Sequence, residues 1–261
     1  MAGLWALLFA ASAYSVDRGA DGKFERRTSS HFELYQDVDI DRSGGFHGSR
    51  RFEQEVLDEL EEAYDDLGKH LSLRPERRIS VVIYDPEIFD AHFRGLFRFQ
   101  AAGFYNGQIR VRGTTSLTPR LSRVLHHELL HAALDAAAPN LVVPGWVNEG
   151  GAEWFEARAA GKRGLSSSER SALTDFAAAG RLFSVQELSM PAFGRLGPRA
   201  AGIAYLQSYA YIDVLARRYG ERKLPLFYAE LIRSKRLDRA LSRVYRLDVA
   251  GLQAALYEEL R

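Results

Sequence analysis

VLHHELLHAALD, residues 124–135, carries His127, Glu128 and His131 in the order H-E-x-x-H. On a helix, residues four apart share a face, with Cβ atoms roughly 5–6 Å apart, close enough for two imidazoles to hold one metal ion. Glu128 lies about 100° further round the helix. It therefore stands beside such an ion rather than on it, where a base that takes a proton from water belongs. His126 is on the same helix but turned about 100° away from His127, and reads as structural or supporting. Three fixed residues in five make a short pattern, so the rest of the site must be found elsewhere in the chain.

It is found directly downstream. Pro144 and Gly145 punctuate a helix start, and the run that follows carries Glu149, Glu153 and Glu156. Seventeen residues separate His131 from Glu149. That is enough for the first helix to end near Ala138 and Pro139, for a short loop, and for an antiparallel second helix that aims Glu149 at the two histidines. Two His with one Glu is an attested ligand set for a catalytic zinc ion, which takes three protein ligands and leaves one position for water.

His127, Glu128 and His131 followed by Asn148-Glu149-Gly150 resemble the gluzincin pattern of metallopeptidases. The fuller run, residues 146–153, looks like the M1-aminopeptidase-like "peptidase MA" group. The resemblance covers residues 29–156 and extends more loosely to the end of the chain. It implies Zn2+ on His127, His131 and Glu149, with Glu128 as general base. It also implies that Glu153 orients a ligand histidine through its other ring nitrogen, and Asn148 is a further supporting candidate. In such proteins a catalytic tyrosine is followed by a small residue, a leucine and a glycine at set intervals. Tyr205, Ser208, Leu215 and Gly220 fit that spacing, with serine at the small position, so Tyr205 is the expected oxyanion donor and Tyr209 the reserve. A strand just before the metal helix forms the sheet edge over the cleft in the gluzincin arrangement. That points to residues 108–112, with Gln108, Ile109 and Arg110 as substrate-binding candidates by main-chain pairing; an ordinary internal strand is the other reading of the same residues. The Gly-x-Met-x-Asn run that grips a substrate amine in the aminopeptidases is not visible, which favours an endopeptidase. The expected activity is zinc-dependent hydrolysis of a peptide or protein substrate. The alternative is a silent or latent module that binds metal or peptide without turnover; the presence of Glu128, which metal binding alone does not require, favours catalysis.

Composition sets the frame. The 261 residues are 46% hydrophobic, enough to bury a sizeable core. Thirty-five basic residues against 34 acidic ones give a net charge of +1, which offers no argument for nucleic acid or an anionic membrane surface. Cysteine is absent, which excludes disulfides, thiolate ligands and a cysteine nucleophile. Residues 1–13 form a short apolar run ending in an A-x-A-like site at Ala11 and Ala13. The run lacks a basic n-region and is too short to span a bilayer. An exported protein, periplasmic or extracellular, is the expectation and a cytoplasmic one the alternative, with no stable membrane span and an oligomeric state the sequence leaves open.

The fold class expected is α+β: a zincin-like catalytic lobe with a mixed β-sheet and the H-E-x-x-H helix, then an all-α C-terminal lobe. The boundaries are a leader and linker at 1–28, the catalytic lobe at 29–163 and the helical lobe at 164–261. Residues 31–35 alternate like a strand, and glycines at 44–48 mark a loop. Phe52, Val56, Leu60, Ala63, Tyr64 and Leu67 recur at helical spacing, with Gly68 expected to end that helix. Residues 79–84 read as a buried strand and 86–94 as a short helix. Asn106-Gly107 joins the strands at 101–105 and 108–112 as a hairpin. Thr118 and Pro119 supply an N-cap and an N1 proline for the metal helix. Beyond residue 165 only helices are expected: 166–179, 202–219, 224–233, 237–245 and 249–260.

Overall fold

The computed structural model describes residues 24–38 and 48–261. Of the expected leader and linker, residues 1–23 lie outside the described residues, as do residues 44–47 of the glycine loop; residues 25–28 of the linker are instead a strand of the sheet, and Gly48 begins a helix. A five-stranded sheet comprises β1 (Glu25–Thr28), β2 (Phe32–Gln36), β3 (Ile79–Tyr84), β4 (Gly103–Tyr105) and β5 (Ile109–Arg112), in the order β1-β2-β3-β5-β4. The central strands β2, β3 and β5 are parallel, and the outer strands β1 and β4 pair antiparallel. Period-two alternation assigns the two faces of β3. Val81 and Ile83 join the main core, while Val82 and Tyr84 turn to a smaller aromatic cluster with Phe89 and Phe93 of α2 (Pro86–Phe93).

The helix α1 (Gly48–Leu71) crosses from β2 to β3 with the predicted apolar stripe buried. Gly68 does not end it. Leu71 and Leu73 are both buried, so the helix continues one further turn, and Ser72 takes the positive φ (55°) that glycine was expected to supply. The helix α3 (Pro119–Ala137) begins as expected, with the Leu121 N–H donating to Thr118 Oγ1 at 3.1 Å. Next come α4 (Gly145–Ala159) and α5 (Ser167–Ala178), whose start is a capping box between Ser166 and Glu169. The remaining helices are α6 (Pro198–Tyr219), α7 (Leu224–Ser234), α8 (Leu237–Tyr245) and α9 (Val249–Glu259). Apart from the smaller aromatic cluster, buried apolar residues from β2 to α9 join in one main core. No helix among the described residues is long and apolar enough to cross a membrane.

One expectation fails here. The strand of residues 108–112 is not the sheet edge: β5 is flanked by β3 on one side and β4 on the other, so its main-chain groups are already paired. Ile109 is fully buried. Arg110 is folded into the interior, donating to Tyr84 Oη, to Asn106 Oδ1 and to Gln108 Oε1. The edge is the short β4, running along α3 with Gly103 against Val124 and Tyr105 Oη 2.7 Å from Asp135.

Candidate metal centre

The helix α4 is buried on nearly every side, between α3 and α6, and that setting dictates its glycines. A Cβ on Gly150 would lie 2.3 Å from the Ser208 carbonyl oxygen of α6, and one on Gly151 would lie 2.1 Å from Tyr228 Oη. The Tyr228 hydroxyl meanwhile donates to the Val147 carbonyl at 3.1 Å. The close crossing explains why position 208 must be small: Ser208 is fully buried and its hydroxyl folds back to the Ala204 carbonyl at 2.6 Å. The same packing holds Glu149 against α3.

There the three candidate ligands converge. One ligand atom each from His127, His131 and Glu149 lies within 4.8 Å of the other two. Glu149 Oε2 is 3.4 Å from His127 Nε2 and 3.5 Å from His131 Nε2. Both imidazoles thus present Nε2 inward, and each Nδ1 has its own partner. Asn148 Oδ1 accepts from His131 Nδ1 at 2.9 Å, and Glu156 Oε2 lies 3.3 Å from His127 Nδ1. Glu153, expected in that place, forms no ion pair with either ring among the described residues. The helix period supplies the reason. Seven residues bring Glu156 to within about 20° of the Glu149 azimuth two turns on, whereas Glu153 falls about 40° past it.

The electrostatics follow from burial and these contacts. Burial opposes ionisation of Glu149, but the neighbouring His131 and His127 outweigh it and hold the carboxyl at about 2. Burial disfavours charge on His127 and His131, and the surrounding carboxylates, Glu149 foremost, raise both above the ordinary imidazole value. Burial pushes Glu128 up; the imidazoles pull against it and Glu149 and Glu156 add to it. Burial also lifts Glu153 to about 7. Glu128 is 5% exposed and its Oε2 has no hydrogen-bond partner, an orphaned carboxylate oxygen beside a triad of nitrogen and oxygen donors. Two imidazoles and a carboxylate without any thiolate suit Zn2+ or a similar divalent ion.

A cleft of about 450 Å³ opens over this group, lined by His127, Glu128, His131, Asn148 and Glu149, by β4, and by Tyr205 of α6. The Tyr205 ring centre is 6.4 Å from that of His127, and burial together with the carboxylates of Glu149 and Glu128 pushes its hydroxyl pKa up. The reserve candidate Tyr209 is elsewhere: it is buried beneath Lys162, whose Nζ stands 4.2 Å from its ring centre. Gln108, Ile109 and Arg110 do not line the cleft. His126 is also withdrawn, with Nδ1 3.0 Å from the Ser122 carbonyl and its ring on Phe155. Reading the sequence missed Glu156, Phe97 and the connection residues Leu141, Val142 and Val143, the last four all cleft-lining and none with a local chemical signature.

A family model described as the Peptidase MA superfamily matches residues 99–260, more than half of the chain. The match takes in β4, the ligand helices α3 and α4, and α6. No curated protein matches the sequence.

Proposed function

The chain belongs to the Peptidase MA superfamily, and from that premise we propose that it is a zinc-dependent peptidase of the aminopeptidase-like branch that acts as an endopeptidase. The observation that carries the reading is the convergence of His127, His131 and Glu149 beside the unpartnered, buried carboxylate oxygen of Glu128. A zinc ion on three protein ligands supplies Lewis acidity and an open position for water or substrate. His127, His131 and Glu149 would hold it, with Asn148 and Glu156 fixing the two rings so that each Nε2 points inward. Glu128 takes the proton from the attacking water and later delivers it to the leaving amine. The Tyr205 hydroxyl donates to the oxygen that becomes negative as the carbonyl carbon turns tetrahedral, a contact strongest in the transition state.

The test is metal content of the purified chain together with cleavage of an internally quenched peptide library, with and without chelator. About one equivalent of zinc per chain and chelator-sensitive cleavage are expected. His131→Ala and Glu149→Ala should lose most of the metal. Glu128→Gln should keep the metal and lose at least ~100-fold in rate. Bound zinc with no cleavage of any peptide would sink the hydrolase reading and leave a metal-binding module.

A further inference from the structure

Outside the metal group, Asp135 and the two tyrosine hydroxyls, the cleft wall is apolar. Near the His127 end stands Phe97, while Phe99 and Phe193 pack on the Tyr205 ring at 6.3 and 5.3 Å. Past His131, Leu134 follows on α3, and Leu141, Val142 and Val143 come from the connection into α4. The two histidines therefore lie between two apolar patches along α3, and β4 runs beside both. Four large apolar side chains are conspicuously exposed among the described residues, and one of them, Val142, lines this cleft. It is 70% exposed, and Leu96, 55% exposed, adjoins Phe97 in the chain. A single exposed apolar residue is ordinary, but Val142 stands beside Leu134, Leu141 and Val143 in the wall of a cleft, and a contiguous apolar patch in such a place marks a binding surface.

The charges in the cleft point the same way. Among the described residues no lysine or arginine lines it, and its carboxylates are Glu128, Glu149 and Asp135. Asp135 is already engaged by the Tyr105 hydroxyl and by Arg77 at 3.4 Å. An acidic substrate side chain would face these carboxylates, with Arg77 already paired to Asp135, and a basic one would have to compete for Asp135. An apolar side chain on either side of the metal group finds a surface to cover.

We infer that this cleft selects extended polypeptide segments with apolar side chains on both sides of the scissile bond, Phe97 and Val142 being specificity-determining residues of its two ends. The inference rests on the peptidase reading above. Because such segments are buried in folded proteins, the substrate class is unfolded chains and free apolar peptides.

Binding and cleavage separate the two ideas. Zinc-loaded Glu128→Gln is titrated with fluorescent extended peptides that differ only at the two central positions. Leucine or phenylalanine there should bind about tenfold or more tighter than aspartate or lysine, as expected for burying one such side chain. In the same background Val142→Ser and Phe97→Ala should each weaken the apolar peptide by roughly three- to tenfold with zinc content unchanged. Val142 is exposed enough that its replacement leaves folding intact, so it decides the matter if Phe97→Ala fails to fold. Equal binding of charged and apolar peptides, or no effect of Val142→Ser, overturns the inference. Tight apolar binding without cleavage by the unmutated chain upholds the recognition surface and overturns the peptidase reading instead.

Discussion

Replacing Glu156 by alanine isolates the outer contact on which the ring of His127 depends. Its Oε2 lies 3.3 Å from His127 Nδ1 and its side chain is 20% exposed, so the contact is only weakly screened by solvent. Removing it frees the ring to rotate and leaves the tautomer that presents Nε2 inward without its partner. Losing such a partner typically weakens metal binding about 10- to 100-fold, or roughly 1.4–2.7 kcal/mol. Glu156→Gln keeps an amide oxygen at the same reach and loses only the charge, so a smaller loss of about three- to tenfold is expected. Glu153→Ala should cost less than about threefold, because no ion pair joins that residue to either ring. The assay is zinc competition against a chromophoric chelator at fixed pH, with thermal unfolding of the metal-free variants alongside to separate affinity from folding. Glu156→Ala within twofold of the unmutated chain, or a larger loss from Glu153→Ala, would refute the assignment.

Tyr205→Phe should lower kcat by roughly 10²–10³ with little change in KM. The control Tyr209→Phe, whose hydroxyl lies outside the cleft, should stay near the unmutated rate; the reverse order would move the oxyanion role to Tyr209. Gly150→Ala forces a Cβ against the Ser208 carbonyl and should cost about 1–3 kcal/mol of stability, read as a Tm drop of roughly 2–10 °C. An unchanged Tm would mean that α4 and α6 can separate freely. Burial pushes the Glu61 carboxyl up, but hydrogen bonds from the His31 N–H (2.8 Å) and ring (2.5 Å) help to hold it on balance below its ordinary 4.5. Its stabilisation is therefore present above that value and lost as pH falls through the lower, folded value. Denaturant titrations of Glu61→Gln should show a shallower acid limb, and an identical limb would exclude the contribution.

The elements that carry the ligands were the most legible because their signals are local and agree with one another. Thr118 and Pro119 start α3, the punctuation at Pro144 starts α4, and Asn106-Gly107 turns the hairpin, with Gly107 at φ 91°. Strand order was not legible. The sequence Ile-Arg-Val-Arg of β5 alternates like a half-exposed edge, and only the structure shows Arg110 satisfied inside by Tyr84, Asn106 and Gln108. Whether β3 takes β5 or β4 as its neighbour is a tertiary choice that alternation cannot encode. The strand β1 went unread because Glu-Arg-Arg-Thr on an outer position buries too little to leave a pattern.

The same distinction explains the misplaced acid. Periodicity placed Glu149, Glu153 and Glu156 on α4, but which of them meets a given imidazole depends on how far α4 slides along α3. That offset is set by the connection after Ala137 and by the close crossing of Gly150 over Ser208. In the antiparallel pairing, earlier residues of α4 face later residues of α3, so Asn148 meets His131. Moving towards the C-terminal end of α4 moves back along α3, and Glu156 comes to His127. A shift of one turn would place Glu153 there instead. The Gly150 contact with α6 that fixes this register is thus part of the metal centre, although Gly150 and Ser208 do not line the cleft.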